Sequence, residues 1–337
     1  MPLMMNKRVG LILALLMLFS TQALAYSLKN HEQITADAVA LINQCRQHEL
    51  LTTLNPEPQL PVLIAYNLDQ DQLSRKARLW HFPFDKKQPP LKSATSWVGN
   101  TLVLSTSFNI WSDYLYAQAQ LTRQHKELYP AMGALLHYIQ DVSVPAHAVP
   151  IFHPVRYFPP KADGFDSWQQ FNPYPWLQDK AELKKVCGQI VAQTGNGQDI
   201  LQATQQKTRD NIRAGLGLNL KLGLELNADL SSEPSVWLKL YPIDAPKPDG
   251  FAQYGCDSGG DYGEALLNCD GKAIAVPLKA YIDFASAQRN LATVASARLI
   301  YLLQQGLGRC DGADCIAKEG NDRWLPNAPL LKQLLEK

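Results

Sequence analysis

Apolar residues recur at helical spacing along much of this chain, and the longest such pattern follows Pro277. One apolar residue at every third or fourth position places those side chains on a single face of an α-helix. Shorter patterns of the same kind occur upstream, whereas the strict alternation of half-buried strands is scarce. We therefore expect an all-α fold, a single-domain bundle of several helices with long loops. The apolar residues of the longest pattern are Leu278, Tyr281, Ile282, Ala285, Leu291, Val294, Ala295 and Tyr301.

Four shorter segments also carry a helical apolar pattern, and two of them have boundary signals. Asn30 with Gln33 resembles a capping box at the start of the first segment. Pro130 lies where the third helix is expected to begin and Pro145 where it ends, because proline disrupts a helix interior. The four predicted helices fall within residues 30–45, 108–121, 130–144 and 183–191.

Two stretches interrupt these patterns and are expected to be long loops. Residues 149–176 are rich in proline and aromatic residues, and residues 244–275 are rich in glycine, proline and aspartate. The rings of the first stretch admit three roles: contact with a membrane surface, stacking on nucleic-acid bases, or packing over the helices. The sequence leaves these three roles open.

The first residues have the composition of an export signal. Lys7 and Arg8 precede an apolar run over residues 9–19, which is shorter than the roughly 20 residues that span a bilayer. A small-x-small motif follows and ends at Ala25. This arrangement predicts a secretory signal peptide, cleaved between Ala25 and Tyr26. The mature protein is then expected to be secreted, either to the periplasm or to the medium.

Charge excludes one class of partner. The chain has 32 basic and 31 acidic residues, and residues 1–25 hold two of the basic ones, so the remainder is almost neutral. A protein that grips duplex DNA through many phosphates is strongly basic, and we therefore expect no duplex DNA partner. No feature points to an obligate protein partner. Residues 26–337 are expected to form one helical domain.

Six cysteines lie downstream of the signal, an even number that is typical of disulfides in an oxidising compartment. Two of the pairs are close in sequence and predict local disulfides. The alternative interpretation of Cys310 and Cys315 is that they form half of a metal site, but no second thiol pair or nearby histidine completes such a site. The predicted pairs are Cys310 with Cys315, Cys256 with Cys269 and, by elimination, Cys45 with Cys187.

One short segment combines metal-binding side chains with a helix end. His137 and Asp141 are four positions apart on a predicted helix, so both lie on one face, one turn apart. His147 follows just after Pro145, where the chain is expected to fold back and present a third side chain. Imidazole and carboxylate groups in such an arrangement are typical ligands of Zn²⁺.

The segment resembles the His-Tyr-x-x-Asp-x-x-x-Pro-x-His core of zinc-dependent phospholipases C and the related single-strand nucleases. Three further matches support the resemblance. His81, within Trp80–Asp85, resembles the isolated zinc histidine of the family, and Asp69 precedes it by 12 positions. Tyr26 and His31 match the family's N-terminal aromatic residue and early histidine.

The resemblance implies how zinc would be held. One zinc takes His81, His137 and Asp141. A second takes the amino group and carbonyl of Tyr26 together with His31, and Asp141 bridges the two ions. His147 belongs to a third ion. The resemblance also implies that Asp69 orients or deprotonates the attacking water, although Asp71 is equally acidic.

The sequence departs from the family at the third ion. The family has a His-x-x-x-Glu or His-x-x-x-Asp pair where this chain has Asp166 and Gln170. Asp166 can bind zinc, but an amide oxygen is a poor ligand. His153 lies nearby without any supporting motif. We therefore expect two zinc ions, while the third site is weak, occupied by another metal or absent.

The function implied by the resemblance is hydrolysis of a phosphodiester bond by a metal-activated water. The near-neutral charge, and Tyr26 in place of the family's usual tryptophan, favour a phospholipase C that cleaves phospholipid at a membrane surface into diacylglycerol and a phosphorylated head group. Two alternatives remain. One is a zinc-dependent nuclease that acts on single-stranded nucleic acid. The other is a degenerate zinc-binding interaction protein with the same fold.

Overall fold

The computed structural model describes residues 27–71, 125–149, 151, 163–192, 197–216, 235–243, 254–256 and 262–307. Over these residues the fold is all-α with one two-stranded sheet, which confirms the predicted fold class. The elements are α1 (Leu28–Gln47), a 3-10 turn (Glu57–Gln59), α2 (Leu60–Asp69), α3 (His125–Asp141), α4 (Pro145–Ala148), α5 (Pro175–Gln178), α6 (Lys180–Val191), α7 (Gly197–Arg213), α8 (Val236–Leu240), β1 (Leu266–Cys269), β2 (Lys272–Ala275) and α9 (Leu278–Leu307).

Asn30 was the expected N-cap residue, but helix α1 begins two residues earlier, at Leu28. Ser27 is the N-cap residue, and its side chain accepts a hydrogen bond from the backbone N–H of Asn30. The capping box predicted at Asn30 and Gln33 is therefore wrong, because Asn30 already lies inside the helix. The apolar face is as expected, since Ile34, Ala38, Leu41, Ile42 and Cys45 are all buried.

The third predicted helix also has other bounds. Helix α3 starts at His125 and contains Pro130, and it ends at Asp141. Pro145 does not end this helix but begins α4, where the missing backbone N–H of proline costs nothing in the first turn. The break between α3 and α4 therefore folds the chain back and buries His147.

The long helix α9 runs through the centre of the described fold and packs against α1, α3, α6 and α7. Helix α2 packs against α3 at Gly133, where an added Cβ atom would lie 2.6 Å from the carbonyl oxygen of Leu63. Only glycine permits this approach of the two backbones. The buried face of α9 thus holds α1 and α3 side by side, and Gly133 brings α2 onto them.

The stretch 244–275 is not wholly a loop, which corrects the prediction. Its last residues form the antiparallel pair β1 and β2, joined by Asp270 and Gly271 with positive φ angles of 55° and 73°. Asp-Gly is a preferred sequence for such a two-residue hairpin turn.

Within the aromatic stretch 149–176, Phe165 and Trp176 are buried against the helices. Of the three roles considered for these rings, packing over the helices therefore applies to these two residues.

Two of the three predicted disulfides are confirmed. Cys45 in α1 bonds to Cys187 in α6, and Cys256 bonds to Cys269 in β1. Cys310 and Cys315 lie outside the described residues, as do the predicted helix at 108–121 and the export signal at 1–25. No helix within the described ranges is long and apolar enough to cross a membrane.

Candidate metal centre

Two histidines and two aspartates converge in the interior between α1, α2 and α3. Nε2 of His31 lies 3.4 Å from Oδ1 of Asp141 and 3.9 Å from Oδ2 of Asp71. Nε2 of His137 lies 3.4 Å from Oδ2 of Asp141 and 3.5 Å from Oδ1 of Asp71. Each carboxylate therefore faces both imidazoles.

The secondary structure explains this convergence. His137 and Asp141 are one turn apart on α3, so their side chains point in the same direction. His31 lies in the first turn of α1, and its ring stacks on that of His137 with centroids 4.2 Å apart. Asp71 lies two residues beyond the end of α2, where the chain leaves the helix.

The donor set fits a divalent metal ion. One ligand atom from each of His31, His137 and Asp141 lies within 4.8 Å of the other two, and all three residues are fully buried. Imidazole nitrogen together with carboxylate oxygen suits Zn²⁺. Two buried carboxylates that face the same pair of imidazoles carry a large desolvation cost. A bound cation offsets that cost, and the group can therefore hold a metal ion.

The two imidazoles respond differently to this environment. Burial lowers the pKa of His31, but the hydrogen bond and charge of Asp141 and the charge of Asp71 raise it above the ordinary value. Burial lowers the pKa of His137 below the ordinary value, although the charges of Asp141 and Asp71 oppose this. Two stacked imidazolium cations repel each other, so a proton on His31 disfavours one on His137.

The outer nitrogens of both histidines are held by buried amides. Nδ1 of His31 lies 2.6 Å from Oε1 of Gln140, and Nδ1 of His137 lies 3.2 Å from Oδ1 of Asn67. An amide oxygen accepts, so each Nδ1 donates its proton to it and Nε2 is the nitrogen that faces the carboxylates. Such a second contact is the usual support of a histidine that binds a metal through its other nitrogen.

The structure describes three more of the predicted metal ligands, His147, Asp166 and Gln170. His147 is buried, with Nδ1 3.9 Å from Oδ2 of Asp141, so it adjoins the cluster. Asp166 is buried, and its carbonyl accepts hydrogen bonds from Ser27 N and Asn30 Nδ2 at the start of α1. Gln170 is exposed, and its carbonyl accepts from the indole of Trp168.

Asp69 and Asp71 are the two candidates for the carboxylate beside the metal site, and Asp71 is the one in contact with both histidines. Asp69 is half-buried as the last residue of α2, whereas Asp71 is buried against both histidines. Of the two carboxylates left open by the sequence, Asp71 thus reaches the cluster. Tyr26, His81 and His153 lie outside the described residues, so their roles stay predictions.

Gln140 and Asn67 were not singled out from the sequence. Gln140 follows His137 by three positions, a spacing that places both on the same side of a helix and that marks Gln140 as a neighbour of the candidate ligands. Asn67 gives no such signal, because it lies 70 residues away from His137 and meets it only through packing of α2 on α3.

Comparison of the chain with family models, with curated proteins and with solved structures finds no match.

Proposed function

We propose that this protein is a zinc-dependent hydrolase of phosphodiester bonds, of the phospholipase C type. The observation that carries the proposal is the buried convergence of His31, His137, Asp141 and Asp71, with both histidine Nε2 atoms facing both carboxylates. The resemblance of the segment from His137 to His147 to zinc-dependent phospholipases C supplies the reaction class.

In this proposal the three fully buried side chains hold the metal. His31 and His137 contribute Nε2, and Asp141 contributes one oxygen towards each histidine, which suits a bridging carboxylate. Tyr26 and His81 complete the ligand set predicted for the first two zinc ions. A bound zinc ion would neutralise charge on the phosphate oxygens and lower the pKa of a water molecule.

Asp71 has the role of general base. Its carboxylate lies 3.5 Å from Nε2 of His137, which places it beside the metal ligands rather than at a distance from them. It accepts one proton as the water oxygen forms a bond to phosphorus. The bond from phosphorus to the leaving alcohol oxygen breaks, and that oxygen takes up a proton. No redox step is involved, and the products are an alcohol and a phosphate monoester.

Phospholipid is the proposed substrate because the chain lacks the basic excess that nucleic-acid binding favours. On a phospholipid the alcohol is diacylglycerol, and the monoester is a phosphorylated head group. A single-stranded nucleic acid has the same reacting bond and is therefore the comparison substrate.

Export is the second part of the proposal. The two described disulfides are typical of proteins that fold in an oxidising compartment, and residues 1–25 have the features of a signal peptide.

The test uses protein that begins at Tyr26, assayed on phosphatidylcholine vesicles and on single-stranded DNA in parallel, with and without a chelator. We expect phosphocholine release that the chelator abolishes and added zinc restores. His31→Gln should abolish this release. His48→Gln is the matched control, because His48 is the exposed C-cap residue that follows the same helix.

The arms of this assay separate the alternatives. DNA degradation without phosphocholine release would replace the phospholipase by the nuclease. Zinc binding without turnover of either substrate would leave a metal-binding interaction protein. Activity that survives chelation or His31→Gln would contradict the proposed centre.

A further inference from the structure

Thr35 fixes the direction of a closed hydrogen-bond network behind the two histidines. Its hydroxyl Oγ1 lies 2.8 Å from the carbonyl oxygen of His31, one turn earlier in α1. A carbonyl oxygen can only accept, so the single hydroxyl proton of Thr35 is committed to His31. Towards every other neighbour, Oγ1 can therefore act only as an acceptor.

Two amides neighbour this oxygen, and each must then be its donor. Nδ2 of Asn67 and Nε2 of Gln140 both lie 3.0 Å from Oγ1 of Thr35. Because these positions must be NH₂ groups, the two amide oxygens are turned towards the histidines. They contact Nδ1 of His31 and Nδ1 of His137. Each imidazole therefore carries a proton on Nδ1.

The remaining hydrogens of the amides are also used. Nδ2 of Asn67 donates to Oε1 of Gln140 at 3.0 Å, and Nε2 of Gln140 donates to Oγ of Ser296 at 3.3 Å. Thr35, Asn67, Gln140 and Ser296 are all fully buried, so water does not compete for these bonds. If either amide group were rotated by 180°, its NH₂ group would face other donors and its oxygen would face other acceptors. A buried network does not tolerate such unsatisfied polar groups.

We propose that Thr35, Asn67 and Gln140 are positioning residues that hold both histidines in the Nδ1–H tautomer. Both Nε2 atoms then face Asp71 and Asp141, on the side where one metal ion or a bridged pair would bind. None of the three residues is itself a ligand in the proposed centre. The inference rests on the proposed function, because it concerns the affinity of that same centre for zinc.

Thr35→Val tests the inference, since it keeps the branched shape of the side chain and removes the hydroxyl. Zinc affinity is measured by competition with a chromophoric chelator. Loss of an outer contact to a histidine ligand typically weakens metal binding about 10- to 100-fold, and we expect a loss of this order because valine removes the acceptor that orients both amides. Thr35→Ser restores the hydroxyl and should restore the affinity.

The matched control is Thr204→Val. Thr204 is also a buried helical threonine whose hydroxyl donates to the carbonyl one turn earlier, that of Ile200, at 2.7 Å. It lies on α7 and has no bond to the network around Thr35. Its substitution should leave zinc affinity unchanged. Equal losses in the two valine variants would overturn the inference, because the effect would then be general destabilisation.

A second measurement does not depend on any variant. In ¹⁵N spectra of the zinc-loaded wild type, His31 and His137 should each show a protonated Nδ1 and a metal-bound Nε2. Metal ligation through Nδ1 at either histidine would overturn the inference, as would wild-type affinity in Thr35→Val. A wild type that binds no zinc would overturn the proposed function itself, and this inference would fall with it.

Discussion

At the scale of single residues, Asp69 and Asp71 differ by only two positions, yet Asp71 is the one whose carboxylate contacts His31 and His137. Asp69 is the last residue of α2, whereas Asp71 lies beyond the helix end, buried and 3.5 Å from Nε2 of His137. Because the chain leaves the helix before Asp71, the helical rotation of about 100° per residue no longer sets the direction of its side chain. The position of the helix end therefore selects Asp71.

Asp71→Asn is expected to reduce turnover while zinc remains bound. The amide has nearly the same shape but cannot accept a proton at neutral pH, and a general base typically contributes about 10²- to 10⁴-fold to the rate. Phosphocholine release and bound zinc are measured on the same sample. Asp69→Asn is the control and should keep wild-type turnover. If Asp69→Asn loses turnover and Asp71→Asn keeps it, the assignment of the two residues must be reversed.

The candidate ligands on α3 could be predicted because they are encoded locally. His137 and Asp141 share a helix face through spacing alone, and Gln140 belongs to the same turn. Thr35 likewise follows His31 by one turn of α1. The contact between Asn67 and His137 could not be predicted, since it joins residues 70 positions apart. Nor could the choice of Asp71, since helix ends are the least predictable feature of a pattern.

At the scale of elements, the contact of α2 with α3 determines the geometry of the site. Helix α2 carries Asn67 and leads directly to Asp71, while α3 carries His137 and Asp141. The two backbones meet at Gly133, where an added Cβ atom would lie 2.6 Å from a backbone oxygen of Leu63. Since that oxygen belongs to the main chain, only a shift of a whole helix can relieve the clash.

Gly133→Ala is expected to lower both the free energy of unfolding and the affinity for zinc. Overpacking of this kind costs about 1–3 kcal/mol, and separation of the helices moves Asn67 and Asp71 away from His137. Urea unfolding and chelator competition measure the two effects. Gly188→Ala is the matched control on α6, where an added Cβ atom meets no atom within 4 Å.

For the control variant we expect the free energy of unfolding to rise instead of fall. Gly188→Ala should stabilise the protein by up to about 1 kcal/mol, because alanine is the better helix former. Zinc affinity should not change. Unaltered zinc affinity in Gly133→Ala would show that the contact between α2 and α3 does not determine the site.

Elements were predictable where the apolar pattern was long. Helix α9 begins directly after Pro277, as expected, and α6 contains the predicted segment from Leu183 to Val191. Helices α2 and α7 were not predicted. Helix α2 has only ten residues, and its two fully buried side chains are Leu63 and Asn67, which is too few for a clear periodic pattern.

At the scale of the whole molecule, one disulfide joins distant parts of the described fold. Cys45 and Cys187 lie 142 positions apart and connect α1 to α6, so their bond closes most of the chain that contributes to the site. The bond between Cys256 and Cys269 closes only 13 positions around the hairpin. A cross-link that closes a longer loop removes more entropy from the unfolded chain.

Replacement of both Cys45 and Cys187 by alanine is therefore expected to cost more stability than replacement of Cys256 and Cys269. Chain-entropy arguments give about 5 kcal/mol for the long loop and about 3 kcal/mol for the short one. Denaturant unfolding under non-reducing conditions compares the two double variants. An equal or reversed order would show that factors other than loop length dominate.

The most direct test of the account is the metal content of purified protein that begins at Tyr26, measured by elemental mass spectrometry after dialysis against metal-free buffer. We predict at least one zinc ion per chain, lost in Asp141→Asn and retained in Asp210→Asn, which changes an exposed aspartate of α7. A wild type without bound metal, or an Asp141→Asn variant with wild-type zinc content, would contradict the buried centre on which the proposed chemistry depends.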